Sequence, residues 1–200
     1  MGWKPVYASL TEMRDWLRIR DAEDTDDDAL IRLKLSAASR AVDGTCHRQF
    51  GKVDAAVTRT YDLRWSRTRQ AHVAEIDDLM DTTGLTVEAD GAAVDAAYYS
   101  LRPRNAIADG EPYTYIVLTA GVSCGGVLDM LGLWGWNAPW PDPIKESTML
   151  QASRLNIRRD SPYGIAGGAD GSGELRLLER LDPDIAPIVK DYVRIGWVAR

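Results

Sequence analysis

Residues able to carry chemistry are scarce in this 200-residue chain, which has two cysteines, two histidines and a single phenylalanine. Cys46 and Cys124 form neither a disulfide framework nor a metal-ligand pattern, and two thiols in a chain of this size suit a reducing cytoplasm. His47 and His72 lack carboxylates, cysteine or a second histidine at the spacing zinc needs. His47 follows a helical segment and reads as a C-terminal cap or surface residue. The GVSCG turn at 121–125 superficially resembles a nucleophile turn, but Cys124 needs an activating histidine, and neither candidate has recognisable surroundings. There is also no apolar run as long as a membrane span, no apolar signal core in MGWKPVYASL, and Val rather than Ser or Thr at position 6 of a would-be myristoylation motif. These absences point to a protein made and used in water.

What is present suffices for a folded domain. Hydrophobic residues make up 45% and charged residues 27% of the chain, with no low-complexity tract, and 200 residues can bury one substantial core. The formal net charge of −6 argues against a general nucleic-acid binder, whose affinity rests on neutralising phosphates with Lys and Arg.

Along the chain, helical patterns flank a β-rich middle. Ser9 followed by Glu12 predicts a capping box at the start of a short helix over about 10–18, with Leu10, Met13 and Leu17 at helical spacing. The acidic DAEDTDDD run at 21–28 supplies a loop and a negatively charged start for a second helix. Calcium binding by Asp24, Asp26 and Asp28 is disfavoured, because Ala29 and Leu35 stand where the loop would need its glycine and distal glutamate. On the second helix Leu30, Leu33, Ala37 and Ala41 form one face, and Ile31, Leu35, Ala38 and Val42 an adjoining stripe. A third helix opens at Asp142 and Pro143 and stops before Pro162; Ile144, Thr148, Ala152 and Leu155 make one face, Leu150 and Ile157 another. Arcs this wide suggest helices touched by their own core and by another molecule, so Leu30, Ile31, Leu35, Val42, Leu150 and Ile157 are the expected subunit-interface residues.

Between 57 and about 133, VTRTYDLRW, LTVEADG, AAYYSLRP, YTYIVLTAG and VLDMLGLWGW read as antiparallel strands, with a hairpin signal at Asp90-Gly91. Strands that do not alternate with helices exclude a dinucleotide-binding sheet. The glycine-rich IAGGADGSG lacks the Lys-Ser/Thr ending of a phosphate loop and follows a helix rather than preceding one. Asp77 and Asp78 could do acid-base work, but neighbouring charges in a polar run are usually solvated. Arg64, Arg67 and Arg69 are expected at a hairpin tip, as an electrostatic contact or as plain solubilising residues. Trp134, Trp136 and Trp140 in a proline-rich bend are expected to pack that bend onto the core.

The helical frame, in YASLTEMRDWL, DTDDDAL, ASRAVDGTCHRQF, GWNAPWPDPIKE and QASRLNIRRDSPYGIAG, resembles the head-tail connector (adaptor) family of long-tailed bacteriophages; residues 53–130 match it only loosely. That resemblance implies an α+β fold in a single connector domain: a small helical bundle (1–52 and 141–165), an inserted antiparallel β-region (53–140) and a flexible C-terminal arm (166–200). It implies a structural virion protein of the neck, assembled in the host cytoplasm, without catalysis, cofactor, metal or membrane. About a dozen copies would form a homo-oligomeric ring between the portal protein and the stopper or tail proteins, with genomic DNA passing through the lumen without sequence-specific binding. The segment after Tyr163 would reach the portal, through Tyr163, Ile165, Leu175, Leu177, Leu178, Ile185, Ile188, Tyr192 and Trp197, so that removing everything after Asp170 should leave a folded core but abolish portal attachment. Another neck protein, a stopper or tail-completion factor, is the neighbouring alternative; a small cytoplasmic thiol hydrolase using Cys124 with His47 or His72 is the alternative from another class.

Overall fold

Ser9 starts the first helix, α1 (Leu10–Trp16), by a reciprocal exchange: its hydroxyl accepts the Glu12 N–H at 3.2 Å and the Glu12 carboxylate accepts the Ser9 N–H at 2.7 Å. The structure is a computed structural model that describes residues 4–21, 23, 25–119, 125–160, 165–166, 175–176 and 182–194. Among these, residues 4–49 and 140–194 build a helical unit and residues 50–139 a β unit. The chain is therefore α+β, with helices and antiparallel strands segregated along the sequence.

In the helical unit, α2 (Asp28–Cys46) ends at His47, whose left-handed φ of 53° closes the helix as its C-cap. Ile31, Leu35, Ala38, Val42 and Cys46 recur every three or four residues on α2, and all are buried. Opposite them, α3 (Asp142–Asp160) buries Ile144, Thr148 and Ala152 completely. Ala8, Met13, Ile31, Leu35, Ala38 and Ala152 form one cluster, with Leu10, Leu17, Ile19, Met149 and Leu155 packed around it. Emptying such a site, for example by Leu35→Ala, costs about 2–5 kcal/mol. The inner face of α3 is partly polar; Thr148 meets its need locally by donating its hydroxyl to the Ile144 carbonyl at 2.9 Å.

Within the stretch expected to form a free arm, residues 182–194 instead pack into this unit. Ile185 and Val189 of α4 (Ile185–Val189) are fully buried, and α4 lies against α2 and α3. The Asp182 N–H donates to Gln151 Oε1 at 3.2 Å, Arg154 pairs with Asp182 at 3.4 Å, and the Arg194 N–H donates to the Cys46 carbonyl at 2.7 Å. The cause is the i, i+4 spacing of Ile185 and Val189, which gives a short helix an apolar edge to bury.

The β unit comprises β1 (Val57–Asp62), β2 (Arg64–Ser66), β3 (Ala71–Leu79), β4 (Asp81–Ala89), β5 (Ala92–Ala93), β6 (Tyr99–Arg102), β7 (Tyr113–Leu118) and β8 (Val127–Leu133). They form two four-stranded antiparallel sheets, ordered β1-β8-β4-β5 and β2-β3-β7-β6. Only Leu63 separates β1 from β2 and only Met80 separates β3 from β4, so the chain twice passes from one sheet to the other at a one-residue corner. The expected hairpin joins β4 to β5: Asp90 and Gly91 have φ of 49° and 79°, and Ala89 pairs with Ala92. Outside this unit, Ile165–Ala166 (β9) pairs with Leu175–Arg176 (β10).

Strand β3 corresponds to none of the five strand-like runs, although it buries Ala71, Val73, Ala74, Ile76, Asp78 and Leu79. Its acids hid it. The expectation that Asp77 and Asp78 are solvated fails for Asp78 only: Asp77 keeps a side chain 47% exposed, while the Tyr61 hydroxyl donates to it at 3.0 Å and Arg59 pairs with it at 2.6 Å. Asp78 is buried and accepts the Trp136 indole N–H at 2.8 Å. Trp134 and Trp136 are both 1% exposed, as the aromatic bend predicted. Gly135, between them, has φ +114°, and a Cβ there would meet the Gly51 carbonyl oxygen at 1.8 Å, so this backbone crossing admits only glycine.

Candidate assembly surfaces

The two stripes of α2 have opposite fates. Ile31, Leu35 and Val42, expected at a subunit interface, lie in the core of their own protomer at 3%, 1% and 0% exposure, and residues of α1 and α3 pack around Ile31 and Leu35. The neighbouring face is the one left outside: Leu33 is 63% exposed, Ala37 is exposed, and Leu30 and Ala41 are half-buried. On α3, Ile157 is 55% exposed and Leu150 half-buried. Trp16 of α1, which the sequence reading did not single out, is 43% exposed. A lone exposed apolar side chain is ordinary, but Leu33, Ala37 and Ala41 follow one another along a single helix face. Periodicity located this stripe without showing which of two faces points inward.

Of the residues assigned to portal contact, Ile185 is in the core, Ile188 and Tyr192 are half-buried, and the side chains of Tyr163, Ile165, Leu175, Leu177, Leu178 and Trp197 lie outside the described residues.

In the β unit, the arginine cluster sits at the expected hairpin. Arg64 opens β2, Arg67 and Arg69 lie in the turn to β3, and all three are exposed. Arg69 donates to the Tyr115 hydroxyl at 3.2 Å with its guanidinium 5.2 Å from that ring's centre. Trp65 is 54% exposed and meets His72 edge-on at 5.0 Å. A cavity of about 280 Å³ beside the hairpin is lined by Thr60, Tyr61, Asp62, Arg64, Val73 and Glu75, with neither cysteine nor histidine.

The candidates for chemistry are placed as follows. Cys46 is buried, and burial pushes its thiol up to about 11, so it carries no nucleophilic thiolate at neutral pH. Cys124 lies outside the described residues. His47 is a helix cap and His72 packs on Trp65. Asp28 is held by Arg14 at 2.6 Å, and among the described residues no group of three or more His, Cys, Asp or Glu is placed to hold a metal ion. No described helix is long and apolar enough to cross a membrane.

No protein-family model and no curated protein sequence matches this chain. Among solved structures, it is similar to a chain of one described as "Neck of empty GTA particle computed with C6 symmetry", GTA being a gene transfer agent, with 18% sequence identity and a TM-score of 0.56 over 100% of this chain and 96% of that one. The two share a fold from end to end.

Proposed function

We propose that this chain is a structural protein of the neck of a phage-like particle, working as a ring adaptor between portal and tail. The observation that carries the reading is the end-to-end likeness to a neck chain, over 100% of this protein and 96% of the other. A domain borrowed for another purpose would be expected to match over part of its length, with additions around a site. The exposed face of α2 and Ile157 of α3 support it, since each subunit in a ring must offer surfaces to two neighbours. The neighbour's neck was treated with C6 symmetry, and a sixfold axis accommodates a ring of about a dozen subunits taken in pairs.

The net charge of −6 suits a conduit, because repulsion keeps passing DNA sliding rather than bound. On this reading the protein is not an enzyme, and it resides in the virion after assembly in the host cytoplasm. Portal attachment falls to the segment between α3 and α4, including Tyr163, Leu177 and Leu178, and to Trp197. Native mass spectrometry of the full chain with its portal protein tests the proposal. Portal-bound, ring-sized assemblies are expected; a chain that stays monomeric with the portal present overturns it.

A further inference from the structure

We propose that the β2–β3 hairpin touches the phosphate backbone of duplex DNA in the lumen of the ring, a partner that rests on the ring reading. Three of the chain's 24 basic residues, Arg64, Arg67 and Arg69, fall between Leu63 and Ala74, a stretch with no carboxylate in a protein of net charge −6. All three are exposed. Arg64 and Arg67 have no ion-pair partner among the described residues. Arg69 rests on a neutral group, the Tyr115 hydroxyl at 3.2 Å, so its charge is not neutralised there. The same contact, with the guanidinium 5.2 Å from the ring centre, stiffens the turn, and little side-chain freedom is lost on binding.

The chemistry of the turn favours phosphates over an acidic protein surface. Its residues, Arg67, Thr68, Arg69 and Gln70, are all exposed and offer side-chain donors with no apolar anchor among them, whereas protein interfaces draw most of their energy from well-packed anchors. Trp65 does not supply that anchor beside Arg64, because alternation along β2 turns it to the opposite face of the sheet, where its ring meets His72. Phosphate oxygens need only charge and donors. Carboxylates lie at the base of the hairpin, where Asp62 and Glu75 line the cavity with Arg64, but the turn has none. The acids elsewhere are screened beyond about 10 Å at 0.1 M salt, so they do not cancel a contact made at the turn. A few arginines bind DNA weakly, which leaves it free to slide, and repetition around a ring makes the sum count.

Fluorescence anisotropy of the full chain with a labelled duplex of arbitrary sequence tests this, beside native mass spectrometry of the same samples. With one phosphate per arginine, log affinity should fall against log salt with a slope of about −2.7, a loss of about 40-fold from about 0.05 to 0.2 M. Arg64→Gln with Arg67→Gln should weaken binding by about tenfold or more and bring the slope to about −0.9, with an unchanged circular dichroism spectrum. Should that variant misfold, Arg67→Gln alone, in the exposed turn, should bring the slope to about −1.8. A duplex that wild type does not bind at the lower salt, or that the folded variant binds equally well, overturns the hairpin contact; rings in the same samples leave the ring reading standing. Polyglutamate bound as tightly as the duplex, and lost with the same substitutions, overturns it in favour of an acidic protein surface. Hairpin-dependent duplex binding by a chain that never forms rings, alone or with its portal protein, upholds the contact with DNA and overturns the ring.

Discussion

The Trp136 indole N–H and the Asp78 carboxylate meet at 2.8 Å with both side chains buried, 58 residues apart in sequence. A hydrogen bond to a buried charged group is worth about 1.5–3 kcal/mol, because its loss leaves the carboxylate short of a donor it cannot replace with water. Trp136→Phe keeps most of the ring packing against Phe50, 5.1 Å away between centroids, and removes the donor. Urea unfolding should show a loss within that range; a midpoint equal to wild type contradicts the assignment.

The two α2 faces can be separated by mutation. Leu35→Ala should destabilise the monomer by about 2–5 kcal/mol. Leu33→Glu, on a side chain 63% exposed, should leave the melting temperature within about a degree or two while abolishing oligomers, since surface changes away from special features stay within about 0.5 kcal/mol. Sedimentation velocity alongside calorimetry reads both. Normal oligomers from Leu33→Glu would remove this face from the interface.

A chain ending at Asp170 should fold poorly. It lacks Ile185 and Val189, both at 0% exposure, and leaves the Cys46 carbonyl without the Arg194 N–H. Losing a buried Ile alone costs about 2–5 kcal/mol. A truncated protein with wild-type stability would return residues 182–194 to the status of a detachable arm.

Acid should act on α1 through Glu12. The Lys145 ammonium at 2.7 Å, with the Ser9 N–H and hydroxyl, holds this carboxyl down from 4.5 to about 2. Because its folded value lies below its unfolded one, its stabilising contribution is present above about pH 4.5 and disappears as pH falls toward 2. Melting temperatures of wild type and Glu12→Gln should therefore differ at neutral pH and converge across that window. A gap that widens on acidification contradicts the pairing.

What could be read in the sequence was local. The Ser9 and Glu12 capping box, the Asp90-Gly91 turn, and the stop of α3 before Pro162 each depend on neighbours a few residues away, and each is found. Five strand-like runs correspond to β1 with β2, β4, β6, β7 and β8. The missed strand, β3, carries Glu75, Asp77 and Asp78, and partners distant in sequence, Tyr61 and Trp136, make its two aspartates acceptable. Which α2 stripe faces inward was likewise illegible, because both are apolar and only the placement of α1 and α3 decides. The same holds for the exposed Trp65, whose surroundings arise from strand pairing.

The central claim is that this chain forms a ring in a particle neck, and cryo-electron microscopy of particles assembled with it addresses that claim most directly. The account predicts a closed ring of this α+β fold between portal and tail, with Leu33 and Ile157 against adjacent subunits. A neck in which portal and tail join with no density for this chain would contradict it.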